Sequence, residues 1–311
     1  MKQKTVPEYG KAKQERQRLF CVSPIYDKFA HSLHQPTTFF MINVAIVSHG
    51  HQDLLIQSRL GGLLDTANLA DVRIWVKDNS PSPALAEFCQ QHQVNYTAAS
   101  PGMGFGENNN YLFDLVCRSE ATQDKDFFIL MNPDITLDLS VLKELTSLMR
   151  KDQVPIATLN LYRDEALTQP DANVRRFPSW HSILRMLAVR SISQPYDKSQ
   201  LNQACHLDWA SGALLAFEIG HYRNLRGFDS RYFMYFEDVD ICYRSQKLLG
   251  KGIRYYPQLV ARHKAAHQNR NLISPHAGWF FRSFLQFLSL RYLVYDRQPK
   301  ITPHPSKSNS K

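Results

Sequence analysis

The sequence predicts an α/β protein built on a Rossmann-like, mostly parallel sheet with helices on both faces. Short apolar runs without polar alternation, the mark of strands buried on both sides, alternate with helix-period stretches over residues 42–149. Most of these runs end in turn chemistry, and ligands of such sheets bind at the carboxyl ends of the strands.

The first strand is Ile42 to Val47, closed by Ser48-His49-Gly50. Leu54, Leu55 and Leu60 give a helix that stops at Gly61-Gly62. Val72 to Val76 is the second strand and ends at Asp78-Asn79-Ser80-Pro81. Leu85 to Gln91 reads as a helix and Val94 to Ala98 as a third strand. After Gly102, Gly104 and Gly106 a helix is expected from about Asn108 to Arg118, with one asparagine as its cap. Phe127 to Met131 is a fourth strand running into Asn132-Pro133-Asp134, and Ser140 to Met149 a further helix.

Residues 1–40 and 298–311 read as a basic, mobile extension and a disordered tail, because both are polar and poorly periodic. Between them, 41–265 is expected to be the catalytic domain and 266–297 an amphipathic segment. From Ala277 to Tyr295 that segment sets Trp279, Phe280, Phe281, Phe284, Leu285, Phe287 and Leu288 among Arg282 and Arg291. It is too charged to span a bilayer and suits a helix lying on an anionic one; the alternative is an ordinary core helix.

A formal net charge of +9 points to an anionic partner such as a phosphorylated ligand, anionic lipid or nucleic acid. No nucleic-acid-binding motif is present and the basic residues form no stripe, so nucleic acid is not expected. The five cysteines are scattered without CxxC pairing, which suits free thiols in a reducing compartment. With no secretory pattern in the first forty residues, a cytoplasmic location is expected.

Chemistry concentrates in Glu237, Asp238 and Asp240, three acids behind Tyr232-Phe233-Met234-Tyr235-Phe236. Apolar surroundings and mutual repulsion raise carboxylate pKa values, as a general base near neutral pH requires. A helix start drawing acids to its dipole is the structural alternative. Asp134, at a strand end, is a candidate for Mg2+ or Mn2+, which prefer carboxylate oxygen and use few protein ligands; Asn-Pro-Asp is also a plain turn. Asp78 could accept hydrogen bonds from a base or ribose, or close an Asx-turn. Gly102, Gly104 and Gly106 would let backbone approach a phosphate or sugar, but GxGxxG fails because Glu107 stands at the sixth position. Three consecutive asparagines, Asn108 to Asn110, suggest polar ligand contacts. His263 and His267 lie four apart, yet Lys264 replaces the glutamate of HExxH, so a zincin is rejected.

Taken in order, VSHGH, VKDNS, GFGENNN, LMNPDI, DWASGALL and GFDSRYFMYFEDVDICYR resemble the motif series of family 2 glycosyltransferases over about Asn43 to His263. LYRDEA and VRRFP are similar to the bacterial rhamnosyltransferases of O-antigen assembly. The resemblance implies a GT-A fold and inverting transfer of L-rhamnose from dTDP-L-rhamnose (the β anomer) to N-acetylglucosaminyl-diphospho-undecaprenol, in α-1,3 linkage, for lipopolysaccharide. It implies Asp238 as base with Glu237 beside it. Ser48, Asp78, Gly104, Gly106, Asn108 and Asn109 would line the donor, and Trp209, Ser211 and Gly212 would border the acceptor. Asp134 would bind the metal with His263 near it, although Asn132 replaces the first acid of the usual DxD. The partners implied are a nucleotide sugar, a lipid-diphosphate acceptor and the cytoplasmic surface of the inner membrane. A different donor, UDP-galactofuranose or UDP-glucose, remains open, as does a silent sugar-nucleotide binder.

Overall fold

The computed structural model describes residues 40–65, 68–119, 122–182, 194–264 and 275–296. All fall within the unit Phe39–Lys311. The extension expected at 1–40 (all but Phe40), the tail at 298–311 and residues 266–274 lie outside the described residues.

The chain runs β1 (Ile42–Ser48), α1 (Gln52–Gln57), β2 (Val72–Asp78), α2 (Pro83–Gln91), β3 (Asn95–Thr97), α3 (Phe105–Cys117), β4 (Phe127–Met131), β5 (Ile135–Thr136) and α4 (Leu139–Lys151). It continues with β6 (Ile156–Tyr162), β7 (Val174–Arg176), β8 (Gln194–Pro195), β9 (Cys205–Leu207), β10 (Trp209–Ala210), β11 (Leu214–Glu218) and α5 (Ile219–Asn224). The last elements are α6 (Glu237–Leu249), β12 (Ile253–His263), α7 (Pro275–Leu290) and a π turn, Arg291–Tyr295.

The main sheet has the order β3-β2-β1-β4-β11-β6-β12-β5, with β9 beside β12; β10-β7-β8 form a small second sheet. Strands β1, β2, β3 and β4 are parallel, as are β6 and β12. Six of the nine strands share one direction, as a mostly parallel sheet requires; β5 and β9 run antiparallel to β12, and β11, in the middle of the sheet, runs antiparallel to both β4 and β6. Its buried sequence, Leu214 to Phe217, carries no signal of direction. The register sets Ser48 opposite Asp78, so the carboxyl ends of β1 and β2 meet.

Helices cover both faces. One core packs Leu55, Leu85, Leu142 and Leu145 on Val44, Ile46, Ile74 and Ile129. The other packs Leu112, Val116, Tyr222, Val239 and Phe284 on Ala45, Phe128, Leu130 and Phe217. Helix α3 starts at Phe105, three residues earlier than expected, because Gly104 is the extended N-cap; the three asparagines therefore lie inside the helix and none caps it.

Helix α7 corrects the reading of 266–297 as a purely interfacial segment. Phe284, Phe287 and Leu288 are fully buried, and Phe284 and Phe287 stack on Phe236 with centroids 5.6 and 5.9 Å apart. Most of its apolar surface serves the core. Phe281, Leu285, Leu293 and Val294 remain exposed, and among the described residues no helix is long and apolar enough to cross a membrane.

His221 on α5 is buried with Nε2 2.9 Å from Ser245 Oγ, and desolvation pulls its pKa from 6.5 to about 4. The fold favours the neutral ring, so this contribution is full above pH 6.5 and is lost as pH falls towards 4, by at most about 3 kcal/mol. Thermal melts across that window should fall more steeply for the wild type than for His221→Gln. Parallel curves would refute the assignment.

Candidate active site

Helix α6, which carries the three acids, is launched from a strained loop. Tyr235 and Phe236 both adopt left-handed backbone, with φ of 69° and 67°, and Phe236 is the N-cap. Such backbone costs of order 1–3 kcal/mol per residue and persists only when its surroundings hold it. Here Phe233 O accepts the N–H of Phe105, and Met234 O accepts Ser283 Oγ–H at 3.0 Å, tying the loop to α3 and α7.

Of the three acids, Asp240 is spent on structure. It is fully buried, paired with Arg244 at 2.7 Å and hydrogen-bonded by the Tyr295 hydroxyl at 2.9 Å. Arg244 in turn donates to the carbonyls of Leu225 and Gly227. Glu237 is buried with Oε2 unpartnered, and desolvation followed by repulsion from Asp238 raises its pKa well above the carboxylate range. It is the neutral member of the pair. Asp238 is only partly buried. Burial raises its pKa, while the N–H groups of Gly212 (3.1 Å) and Val239 (2.8 Å) and the charge of Arg175 oppose the rise. A partly buried residue whose carboxylate is held by two N–H donors beside a neutral acid is suited to take a proton.

Gly212 owes its identity to the close packing of Phe105 beside this contact. A Cβ there would stand 2.8 Å from the Phe105 ring, and Asp238 Cβ is 3.8 Å from that position. Ser211 N–H donates to Asn173 O, and Trp209 Nε1–H to Arg176 O at 2.9 Å, so these expected acceptor residues form one wall with β7.

The expected donor residues are placed less directly. Gly104 and Gly106 are buried packing glycines: a Cβ would meet Phe233 O at 2.2 Å and Phe228 Cβ at 2.8 Å respectively. They let α3 approach the 228–237 loop and do not expose backbone to a phosphate. The side chain of Asn108 donates to Met103 O and Gly104 O, and that of Asn109 to Phe105 O, both buried; Asn108 Oδ1 alone lacks a partner. Asn110 pins the 225–228 turn, accepting from Phe228 N and Tyr222 Oη and donating to Phe228 O. Asp78 is fully buried and closes the turn, accepting from Ser80 N, Ser82 N and Tyr96 Oη (3.1 Å). In this arrangement Asp78 shapes the end of β2, the Asx-turn alternative for this residue. Ser48 is buried with its Oγ unpartnered.

Asp134 and His263, expected together, are together. The β5–β12 pairing sets Ile135 opposite His263, and Asp134 Oδ1 lies 3.3 Å from Nε2. On the other side Nδ1 is 2.6 Å from Asp171 Oδ2. Burial lowers the pKa of His263, but the hydrogen bonds and charges of Asp134 and Asp171 outweigh it and carry it to about 9. Among the described residues no cluster of three or more His, Cys, Asp or Glu has metal-holding geometry. Asp134 and Nε2 nevertheless converge, and with the Nε2 proton displaced they would offer two donors, a set that fits Mg2+ or Mn2+ completed by substrate oxygens and water. Asn132, in place of the first acid, donates its backbone N–H to Ala213 O at 2.8 Å. Asp134 is thus two residues from a strand contact whose partner adjoins Gly212, and the two acidic sites become neighbours. Arg163 lies within LYRDEA, whereas Asp171 and Lys198 have no local signal, and Pro170-Asp171 reads only as a turn.

The fold is one shared with GT-A glycosyltransferases of solved structure. The mannosyltransferase PcManGT from Pyrobaculum calidifontis, solved with GDP-Man and Mn2+, shares the fold with a TM-score of 0.53 at 13% identity, covering 86% of this chain and 67% of that one. Rhamnosyltransferase WbbL of Escherichia coli (strain K12) is 32% identical over 262 residues, 83% of this chain and 96% of its own. The chain belongs to that family of rhamnosyltransferases. The N-acetylglucosaminyl-diphospho-decaprenol L-rhamnosyltransferase of Mycobacterium tuberculosis (strain ATCC 25618 / H37Rv) is 25% identical, over 76% of this chain and 80% of its own. No protein-family model matches the chain.

Asp238→Asn should lower transfer about 10²- to 10⁴-fold while donor affinity is kept, read from single-turnover rates beside nucleotide titration. Near-normal transfer would remove Asp238 as base. Gly212→Ala should displace the N–H from Asp238, raise its pKa and move the acid limb of kcat/KM to higher pH, and an unmoved limb would count against that contact.

Proposed function

We propose that the chain moves L-rhamnose from dTDP-β-L-rhamnose to a lipid-linked N-acetylglucosaminyl diphosphate, inverting the anomeric centre in a single displacement. The carrying observation is the carboxylate of Asp238, held by Gly212 and Val239 N–H beside a neutral Glu237, on a segment that the Asn132–Ala213 backbone contact joins to the one bearing the Asp134–His263 pair. The names of the relatives in Escherichia coli and Mycobacterium tuberculosis support the sugar and the acceptor class.

In this reading the acceptor hydroxyl gives its proton to Asp238 as its oxygen bonds to C1 of the sugar. The bond from C1 to the diphosphate oxygen breaks and the nucleoside diphosphate leaves with its electrons. One base suffices, since no covalent enzyme intermediate forms. Asp134 and His263 Nε2 would hold Mg2+ or Mn2+, which supplies positive charge for the departing diphosphate. Trp209, Ser211 and Gly212 border the acceptor. Ser48 and the turn closed by Asp78 shape the donor end of β1 and β2, and Gly104, Gly106, Asn108 and Asn109 act on the donor by holding α3 against the catalytic loop.

The same reading puts the protein on the anionic cytoplasmic face of the inner membrane, through the exposed Phe281 and Leu285 of α7 with Leu293, Val294 and Trp180. Phe281→Ser with Leu285→Ser leaves the core contacts of α7 in place and should reduce cosedimentation with anionic vesicles several-fold. Unchanged cosedimentation would remove this face from the membrane reading.

The deciding assay offers dTDP-L-rhamnose or UDP-sugars to the lipid-linked acceptor with Mg2+ or EDTA. Rhamnose transfer abolished by EDTA is the expected result. Transfer indifferent to EDTA would remove the cation, and transfer only from UDP-galactofuranose or UDP-glucose would move the enzyme to another donor.

A further inference from the structure

The contact between His263 and Asp171 is the shortest in the acidic cluster at the carboxyl edge of the sheet, and transfer chemistry as described does not use it. Nδ1 of His263 lies 2.6 Å from Asp171 Oδ2, against 3.3 Å from Nε2 to Asp134 Oδ1. A carboxylate only accepts, so both ring nitrogens carry protons while no cation is bound; the Nδ1 proton sits in the shorter contact and is the one kept when a cation takes the place of the proton on Nε2. Asp171 also pairs with Arg163, but at 3.5 Å and with a guanidinium 38% exposed, so solvent weakens that partner and the imidazole contact dominates.

The loop bearing Asp171 is built to keep this geometry. Asp171 N–H donates to Leu161 O at 2.8 Å, and Pro170 forms a bridge with Tyr162. Two residues on, buried Asn173 donates to Leu159 O at 3.1 Å. Lys198 reaches in from a separate turn and donates to Asn173 Oδ1 (2.6 Å), Asn160 Oδ1 (2.8 Å) and Leu161 O (3.1 Å). One ammonium thus fastens the loop to the end of β6, whose parallel neighbour β12 carries His263. The restraint reaches His263 from both its ring partner and its strand.

We propose that Asp171 is a positioning residue for the cation site: it fixes the Nδ1–H form of His263 so that the Nε2 lone pair and the Asp134 carboxylate converge on one divalent ion. The inference rests on the reading of Asp134 and His263 as cation donors. Loss of such an outer hydrogen-bond partner commonly weakens metal affinity 10- to 100-fold.

The test titrates Mn2+ into the full-length protein with dTDP present, following free Mn2+ by electron paramagnetic resonance. Wild type should bind, Asp134→Asn should not, and Asp171→Asn should bind 10- to 100-fold more weakly while its dTDP affinity in EDTA is unchanged. Asp171→Glu should recover part of the loss, which a purely structural role would not predict. Wild-type affinity in Asp171→Asn beside a silent Asp134→Asn overturns the inference and keeps the cation reading. Failure of the wild type to bind, or wild-type binding by Asp134→Asn, removes the cation reading and this inference with it. Should Asp171→Asn not fold, ¹⁵N-histidine spectra of wild type with Mg2+ and dTDP, assigned with His263→Gln, decide the matter. A protonated Nδ1 supports the inference and a protonated Nε2 defeats it.

Discussion

The antiparallel insertion of β11 between β4 and β6 is the constraint on which the site depends. It brings Ala213 O onto Asn132 N, and so joins the segment holding Asp238 to the segment holding Asp134. A parallel strand at that place would enter from the opposite edge and present Gly212 at the wrong end of the sheet. Buried backbone groups must pair, so the ladder fixes this juxtaposition before any side chain contributes.

Around that constraint the acids divide their work by environment. Asp240 keeps Arg244 and the Tyr295 hydroxyl and ties the start of α6 to the π turn after α7. Glu237, buried without an opposite charge, is neutral and spares Asp238 a charged neighbour. Asp238 is the least buried of the three and the one held by the N–H groups of Gly212 and Val239. Three acids within four residues thus divide into an anchor, a neutral spacer and the proposed base, and burial and partners decide which is which. Helix α7 has a double part, closing the second core with one face and leaving Phe281 and Leu285 outward on the other.

Residue types at several positions were legible in the sequence while their tasks were not. The β1, β2 and β4 runs and the helices between them follow directly from apolar continuity and turn chemistry. Gly104 and Gly106 signalled close approach, but what approaches is the Phe233 backbone and the Phe228 side chain. The asparagine run signalled polar demand, and the demand proves to be backbone carbonyls of α3 and the turn at Phe228. Asp78 signalled a strand end and closes it. Each signal is local chemistry, and its partner lies elsewhere in the chain.

By itself the sequence determined the α/β class, the strand ends that carry chemistry and the motif series leading to Asp134, Asp238 and His263, because periodicity, turn residues and acid clusters are written over a few adjacent positions. Only the tertiary structure decided the direction of β11, the neutral state of Glu237, the core-facing role of α7 and the approach of Asp171 to His263 across 92 residues of chain. Strand direction, burial and long-range contacts depend on how distant segments pack, and no short stretch of sequence contains that information.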